Sequence, residues 1–414
     1  MNKIVLILFA LIAIIPSHAQ IANWRGENRD GHFNEENLLK EWPEEGPELI
    51  MSVEGIGKGF SSAIVANNTI YITGKKDSLD YLSAIDMKGE IKWQVPFGLS
   101  WGKSYPVSRG SATVEDDRVY VISGRGVLAC IHADTGKEMW SVDVDGEFEA
   151  VWSPFGVSES PLIIDDRVIC TPAGKMTSVV AFDKMTGQLV WQSESIGGDR
   201  AFCSPVIYVY KNFRYILAGT TSHMIALVPE TGEIAWSYKH HLLSRDRIDP
   251  GDGQCLVNNP IFKDDEIFIS KGYNYPAMMI KMDSTGRSVS EKWINQTLDN
   301  EHGGVLRIDD HIYGANFNNS AMGKWVCLEW DSGEVTYLQE WINKGSIIEA
   351  DGMLYLYEER KGNVALVKPD PKKFDLVSLF KITKGSGPHW AHLSIFNGLM
   401  YVRHGDILMA YSVK

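Results

Sequence analysis

The apolar positions of this chain fall into short stretches that are separated by turn residues. Residues 118–122 and 266–270, for example, alternate or run apolar over five positions, which is typical of β-strands. Pairs of Asn, Asp or Gly, which tolerate positive φ, separate successive strands. These pairs stand at positions 67–68, 116–117, 165–166, 264–265, 309–310, 351–352 and 397–398. The pattern predicts a succession of β-hairpins.

A sequence motif recurs after these hairpins: an apolar strand, then Asp-x-x-Thr-Gly or a variant of it, then a strand that carries Trp. The tryptophans are Trp93, Trp140, Trp191, Trp236, Trp293 and Trp341, at spacings of 47, 51, 45, 57 and 48 residues. Two hairpins in a unit of about 45 to 50 residues are typical of a propeller blade. The units begin near residues 60, 108, 157, 201, 255, 301, 344 and 389, so we expect eight blades.

The two ends of the repeat region complement each other. The last unit stops at Lys414 after three strands, and residues 48–53 read as a strand without a neighbouring partner. We therefore predict an all-β, eight-bladed β-propeller of four-stranded antiparallel blades, in which this N-terminal strand completes the last blade and removes its open edge. No linker interrupts residues 48–414, which we interpret as a single domain, preceded by an extension over residues 20–47.

Residues 1–19 resemble a secretory signal. Lys3 precedes an apolar run of 12 residues from Ile4 to Ile15, and Ser17 and Ala19 offer small side chains for cleavage. The run is too short to span a bilayer, although a retained anchor is the alternative. No Cys lies near the cut, so a lipoprotein is not expected. We expect a soluble mature chain that is exported to the periplasm or secreted.

Cysteine usage and charge narrow the function classes. Five scattered cysteines do not form a disulfide framework or a C-x-x-C site, although Cys203 and Cys255 lie near loops and could pair after export. The 40 Lys and Arg residues face 53 Asp and Glu residues, a net charge of -13. This balance argues against nucleic acid as a partner, because phosphate binding needs clustered cations.

Two hypotheses explain the repeated tryptophans. They could stack on a cofactor, or each could pack between neighbouring blades and bury a large apolar area. Their repetition favours packing between blades, since one cofactor needs only one or two stacking residues. The Thr-Gly pairs likewise have a structural explanation, because they lie in the turns between strands.

The Thr-Gly…Trp motif resembles the repeat of pyrroloquinoline-quinone (PQQ)-type eight-bladed propellers. An exported subgroup with a Trp-Arg-Gly-x-x-Arg-Asp-Gly opening is similar at residues 24–31, 38–43, 158–161, 302–305 and 390–392. The resemblance spans the mature chain and implies the eight-bladed fold. Its relatives include outer-membrane-assembly scaffold propellers and quinoprotein alcohol and sugar dehydrogenases.

Candidate chemistry concentrates where the longer loops of such a propeller meet, around the channel mouth. Trp side chains there could stack a ring, Arg could hold a carboxylate, and His could exchange protons. Oxygen ligands of the kind that Ca²⁺ prefers come from positions 149, 159, 249, 252, 258 and 259. The candidate ligand-binding residues are Trp101, Arg109, Trp152, Glu159, Arg200, Asn258, Asn259, His302, His389, Trp390 and His392. The alternative is that they are turn formers and surface pairs; the convergence of Glu159, His302, Trp390 and His392 at the starts of inner strands favours a site.

Three functions remain open. The first is an exported scaffold of the cell envelope that binds a protein or small ligand without catalysis. The second, which the resemblance implies, is a dehydrogenase with PQQ and Ca²⁺ as cofactors; the chain lacks the adjacent cysteines and the C-x-x-C-H haem site that many of those enzymes carry. The third is a carbohydrate-active propeller. No catalytic residue or metal ligand is assigned.

Overall fold

The computed structural model contains eight sheets that follow one another along the chain, and it describes residues 21–151, 154–240 and 256–414. In each sheet consecutive strands pair antiparallel in chain order, and two of the sheets also receive a strand from the N-terminal part of the chain. The first strands of several neighbouring sheets contact each other, as Ile64–Ala66 contacts Thr113–Glu115, so the first strands form the inner wall of a ring. The eight-bladed propeller that the sequence predicts is therefore confirmed.

The first four blades have four strands each. Blade 1 contains Ile64–Ala66, Thr69–Lys76, Leu79–Asp86 and Ile91–Leu99; blade 2 contains Thr113–Glu115, Arg118–Ile122, Val127–His132 and Glu138–Asp143; blade 3 contains Leu162–Ile164, Arg167–Cys170, Val180–Asp183 and Leu189–Gln192; blade 4 contains Val206–Tyr210, Phe213–Gly219, His223–Leu227 and Ile234–Lys239. A one-turn helix, Val144–Glu147, follows blade 2.

The other four blades include two strands from the N-terminal part of the chain. Blade 5 contains Ile261–Lys263, Glu266–Ile269, Ala277–Met282 and Val289–Asn295; blade 6 contains Val305–Ile308, His311–Ala315, Trp325–Glu329 and Val335–Gln339; blade 7 contains Gly345–Ala350, Met353–Glu358, Asn363–Lys368 and Asp375–Lys381, with His32–Phe33 added at its inner edge; blade 8 contains Ser394–Phe396, Leu399–His404 and Ile407–Ser412, with Leu49–Val53 at its outer edge.

The outer strand of blade 8 closes the ring. Leu49–Val53 pairs antiparallel with Ile407–Ser412, with Met51 opposite Ala410. This confirms the closure predicted from the unpaired strand at residues 48–53.

The hydrophobic core lies between blades. The described residues form eight buried apolar clusters, and each joins two neighbouring blades around the whole ring. Burial of this apolar surface holds each blade against the next. Cys130, Cys170, Cys203 and Cys327 are buried thiols. Pairing of Cys203 with Cys255 stays a prediction, because residue 255 lies outside the described residues.

The repeated Trp and Gly residues meet across blade boundaries. The indole of Trp93 lies over Gly136 of the next blade, and its Nε1–H donates to the Ala133 carbonyl at 3.0 Å. Gly136 has φ +69°, and a Cβ there would lie 2.8 Å from the indole. A glycine is therefore needed both for the turn and for the close approach.

The same contact recurs at the pairs Trp140–Gly187, Trp191–Gly232 and Trp293–Gly333. The two other repeat tryptophans differ. Trp236 is buried in the cluster between blades 4 and 5, and Trp341 packs on Phe374 with ring centroids 5.9 Å apart. All these tryptophans make packing contacts between blades.

The N-terminal extension enters the ring. Ala22 forms a β-bridge with Val114 on the inner strand of blade 2, and His32–Phe33 pairs parallel with Glu349 and Ala350 of blade 7. The segment between them crosses the central channel. No helix among the described residues is long and apolar enough to cross a membrane. The signal interpretation concerns residues 1–19, which lie outside the described residues.

Candidate functional site

Each blade contributes two residues to the channel mouth from the extended segment that leads into its inner strand. The two residues stand two positions apart, so their side chains face the same side of the extended chain. The outer set, the cavity row, is Phe60, Arg109, Ser158, Phe202, Val257, His302, Lys344 and Trp390. The inner set, the neck row, is Ser62, Ser111, Ser160, Ser204, Asn259, Gly304, Ser346 and His392.

Part of the neck row is a chain of hydrogen bonds from blade to blade. The backbone N–H of Ser62 donates to Ser111 Oγ at 2.9 Å, and that of Ser111 donates to Ser160 Oγ at 3.2 Å. The N–H of Ser160 donates to Ser204 Oγ, and that of Ser204 donates to Asn259 Oδ1, both at 2.9 Å. These small polar side chains therefore fix the width of the neck over five blades.

Arg25 closes the neck on the side of blades 6 to 8. It donates from Nη1 to the Ile347 carbonyl at 3.1 Å and to His392 Nδ1 at 3.0 Å, and from Nη2 to the Val305 carbonyl at 2.9 Å. A guanidinium only donates, so His392 Nδ1 must accept and its proton must lie on Nε2. Nε2 donates to the His302 carbonyl at 2.8 Å. Burial, followed by the charge of Arg25, holds the pKa of His392 well below its usual range, so this imidazole is neutral.

Arg29 closes the neck on the side of blades 2 to 4. Its Nη1 donates to the Ser160 carbonyl at 2.9 Å, and its Nη2 donates to Thr113 Oγ1 at 3.1 Å and to the Pro161 carbonyl. Burial lowers the pKa of Arg29 to about 9. The N-terminal segment that these arginines anchor thus closes the channel, and its Trp24, which packs on His392 with ring centroids 5.2 Å apart, lines a cavity of about 270 Å³ together with all eight cavity-row residues.

One wall of the cavity is aromatic. The Trp390 ring lies 5.0 Å from Phe60 and 4.7 Å from Tyr105, centroid to centroid. Phe155 continues the wall to Phe202 at 5.8 Å. Tyr105 is 51% exposed and marks the rim. Such a wall suits an apolar or aromatic group from a ligand.

The adjoining wall carries charge, and its His302 ring lies 5.4 Å from the Trp390 ring, centroid to centroid. His302 Nε2 lies 3.3 Å from a Glu359 oxygen, and its Nδ1 lies 3.7 Å from Glu301. The Lys344 ammonium bonds to both carboxylates, at 3.1 Å in the case of Glu359. Burial alone would raise the pKa of Glu301, but His302 and Lys344 outweigh it and lower that pKa to about 2.

This charged cluster has the atoms of a metal site. One ligand atom each from Glu301, His302 and Glu359 lies within 4.8 Å of the others. The Lys344 ammonium already sits within hydrogen-bond distance of both carboxylates. It supplies positive charge where a cation would otherwise lie, so both carboxylates are already paired within the protein.

The structure brings four of the sequence-predicted site residues together. Arg109, His302 and Trp390 line the cavity, and His392 lies on its floor. The guanidinium of Arg109 donates to the carbonyls of residues 104, 105 and 107, so it holds the rim loop. Burial lowers the pKa of Arg109 to about 10.

Glu159 and Arg200 are brought together, but away from the cavity lining. The carboxylate of Glu159 accepts from the Thr171 N–H at 3.1 Å and lies 3.4 Å from Arg200, which also pairs with Asp145. Burial raises the pKa of Glu159. Burial alone would lower the pKa of Arg200, but Asp145 and Glu159 raise it overall. This buried cluster ties blades 2 and 3 and leaves no accessible charge for a ligand.

The remaining candidates are also structural. Asn258 and Asn259 bridge neighbouring strands through their side-chain amides. Trp101 is buried against Gly156, and His389 stacks on His404 at 3.7 Å. Trp152 lies outside the described residues.

The residues present do not fit PQQ and Ca²⁺. The side-chain oxygens of Glu159, Asn258 and Asn259 accept backbone N–H groups of Thr171, Gly304 and Ser204, so these proposed Ca²⁺ ligands point at the protein. Positions 249 and 252 lie outside the described residues. PQQ carries three carboxylates, whereas the cations of the cavity row, Arg109 and Lys344, are already held by carbonyl or carboxylate oxygens.

Several residues of the cavity were not singled out from the sequence: Phe60, Tyr105, Phe155, Phe202, Glu301, Lys344 and Glu359. One signal could have found the cavity row. In seven blades its member stands seven residues before the hairpin turn, and in blade 4 it stands nine before.

Comparison with known proteins places this architecture. Two relatives are named outer membrane protein assembly factor BamB. The one from Alkalilimnicola ehrlichii is 24% identical over 204 residues, which is 48% of this chain and 48% of that protein. The chain thus spans about half the length of this relative. The one from Moranella endobia is 21% identical over 326 residues, which is 74% of this chain and 77% of that protein.

Solved structures agree on the fold. BamB from Moraxella catarrhalis superposes with a TM-score of 0.61 at 16% identity, covering 88% of this chain and 99% of that chain. A quinohemoprotein alcohol dehydrogenase from Comamonas testosteroni superposes with a TM-score of 0.65 at 13% identity, covering 93% and 79%. At such identities the likeness shows the propeller fold alone.

The sequence profile of one family matches residues 78–339, which is 262 of 414 residues. Because this match covers more than half of the chain, the protein belongs to the PQQ_2 family, described as outer membrane protein assembly factor BamB.

Proposed function

We propose that this protein is an exported scaffold of the cell envelope that binds a protein partner with its loop-rich face and performs no catalysis of its own. One observation carries the proposal. The N-terminal segment, anchored by Arg25 and Arg29, plugs the channel, so the loop-rich face presents a cavity that is lined by Trp24 of this segment and by an aromatic wall.

The chemistry of the cavity favours anchoring over turnover. At about 270 Å³ it lies near the lower end of small-molecule pockets, and it is of a size to receive one or two side chains of a partner. Buried aromatic pockets of this kind supply much of the binding energy of protein interfaces. The titratable groups His302, Glu301, Lys344 and Glu359 are paired with one another, which suits a fixed wall.

The relatives indicate the class of partner. Both are named assembly factors of outer membrane proteins, and this chain belongs to their family. We therefore propose that the partner is a protein of the outer membrane assembly pathway, met in the periplasm after export through the segment at residues 1–19. The carbohydrate-active alternative gains no support from these relatives.

The test compares two tyrosines on opposite faces. Cells that lack the protein are complemented with the wild type, with Tyr105→Ala at the cavity rim, or with Tyr210→Ala, which lies next to a short turn of blade 4. The folded fraction of outer membrane β-barrels is measured by heat-modifiable mobility on gels. We expect Tyr105→Ala to lower this fraction and Tyr210→Ala to restore it to the wild-type value.

Two outcomes would refute the proposal. One is equal rescue by Tyr105→Ala, Trp390→Ala and the wild type at equal protein levels. The other is an unchanged folded fraction when the protein is absent.

A further inference from the structure

A second cavity lies on the short-turn side of the channel. It measures about 290 Å³ and is bounded by residues 21–35 of the N-terminal segment, by residues 63–67 of blade 1 and by residues 394–397 of blade 8. We call it the inner groove. In ring order it lies between blade 7 and blade 2, the two blades to which the N-terminal segment adds its own backbone.

The register of the inner strands directs backbone groups into this groove. Asn67 and Asn68 both have positive φ, as in the two-residue turns in which the flanking residues, here Ala66 and Thr69, exchange hydrogen bonds. In an antiparallel pair the next residue, Val65, then points its N–H and C=O to the opposite edge. Ile395 of blade 8 stands in the same position before its turn.

The chain itself shows how such an edge is bound. Val114, the equivalent residue of blade 2, exchanges both backbone hydrogen bonds with Ala22, at 2.9 and 3.0 Å. Glu349, the equivalent residue of blade 7, donates its N–H to the Gly31 carbonyl at 2.9 Å. Among the described residues, no backbone partner bonds to the N–H or C=O of Val65 or Ile395. Among the described residues, two edges without backbone hydrogen bonds therefore lie between two edges that an extended chain already occupies, and His32–Phe33 runs close to the one at Ile395.

The lining of the groove is negatively charged. It contains two carboxylates, Glu27 and Glu35, and neither Lys nor Arg. Glu35 already accepts the N–H groups of Asn397 and Gly398, so Glu27 supplies the charge that a ligand would meet. We propose that the inner groove binds a short, extended, basic segment of a partner polypeptide, which pairs with the edges at Val65 and Ile395 as Ala22 pairs with Val114. This is strand addition, in which main-chain hydrogen bonds supply affinity and neighbouring charges supply preference.

A fluorescently labelled heptapeptide of alternating Lys and Val tests the proposal by fluorescence anisotropy. Two control peptides replace Lys with Glu, or carry N-methyl groups on alternate residues to remove donors. We expect saturable binding of the basic peptide alone. Hydrogen exchange of the Val65 and Ile395 amides should slow when it binds, and this readout needs no variant. Absence of binding, or binding without this protection, would overturn the proposal.

Proline substitution offers a matched pair. Val65→Pro removes the donor that faces the groove, and proline is tolerated at a free strand edge. Val209→Pro changes the equivalent residue of blade 4, which is 59% exposed and outside the groove lining. We expect Val65→Pro to weaken binding by about fivefold, as for the loss of one hydrogen bond, and Val209→Pro to leave it unchanged. Equal effects of the two variants would overturn the proposal.

Two further experiments test the charge preference of the groove and exclude other occupants. Glu27→Gln should weaken binding of the basic peptide, whereas Glu36→Gln, which is exposed and outside the lining, should not. If the peptide binds only after residues 1–20 are removed, the occupant is the chain's own preceding segment, and the proposal is wrong. If the protein self-associates in sedimentation and Val65→Pro abolishes this, the occupant is a second copy, and the proposal is equally wrong.

Discussion

Replacement of Gly136 by Ala tests the contact on which the repeat depends. Gly136 has φ +69° in the turn that receives the Trp93 indole of the preceding blade. An alanine must adopt this left-handed backbone and also place a Cβ 2.8 Å from Trp93 Cδ2. Real Cβ atoms do not approach so closely, so the indole must move and its hydrogen bond to the Ala133 carbonyl must lengthen.

The two costs can be separated with a second glycine. Gly352 has φ +72°, but a Cβ there meets nothing within 4 Å. Gly352→Ala should therefore cost only the backbone strain, about 1 kcal/mol. Gly136→Ala should cost this strain plus overpacking of about 1 to 3 kcal/mol, hence about 3 kcal/mol in total.

Urea unfolding followed by far-ultraviolet circular dichroism measures both variants against the wild type. We also expect Trp93→Ala to remove most of the difference, because the two residues touch and their effects are coupled. Equal losses for Gly136→Ala and Gly352→Ala, or an unchanged cost of Gly136→Ala without the indole, would refute the packing role of the repeat.

Three further predictions concern the cavity wall, the plug and the closure. The pKa of Glu301 lies at about 2, below its usual value of 4.5, so its ionised form stabilises the fold above pH 4.5 and this contribution disappears as the pH falls towards 2. The free-energy advantage of the wild type over Glu301→Gln should accordingly shrink by about 3 kcal/mol over that window in acid-unfolding experiments. Arg29→Met leaves buried carbonyls without donors and should cost about 3 kcal/mol in urea unfolding, with faster hydrogen exchange in residues 21–33. Met51→Asp buries a charge where the closing strand faces the core between blades 8 and 1, and should lower the midpoint of urea unfolding by the equivalent of at least about 3 kcal/mol.

Each of these predictions has a matched control. Glu36→Gln changes an exposed carboxylate, so its cost should not vary between pH 4.5 and 2. Arg287→Met removes an exposed pair with Glu233 and should cost less than about 1 kcal/mol. Ile50→Asp lies beside Met51 but is 49% exposed, so it should be close to neutral. A control as damaging as its partner variant would contradict the corresponding contact.

The fold could be predicted because its determinants are local and repeated. Positive-φ pairs such as Asn67–Asn68 report a hairpin by themselves, and the spacing of these turns counts the blades. The closing strand could be inferred by counting strands, because the last repeat unit contains only three strands and the strand at residues 48–53 has no neighbouring strand in the sequence. The route of residues 21–33 could not, because no local pattern shows that Arg25 and Arg29 bond to carbonyls of four different blades, which come together only after the ring has closed.

The site was predicted only in part, for a related reason. Glu159 and Arg200 have the composition of a ligand site, but they satisfy each other in the interior. His302 and Trp390 have the same kind of sequence context and face the cavity instead. Residue type in a loop therefore indicates chemistry, whereas burial and partners decide whether a ligand can reach it.

The proposed function requires that the partner meets the loop-rich face at the plugged cavity. A photo-crosslinking amino acid placed at position 105, on the cavity rim, or at position 210, on the opposite face, tests this in living cells. We expect ultraviolet light to join position 105, and not position 210, to one defined protein of the outer membrane assembly pathway. A crosslink to that protein from position 210 alone would contradict it.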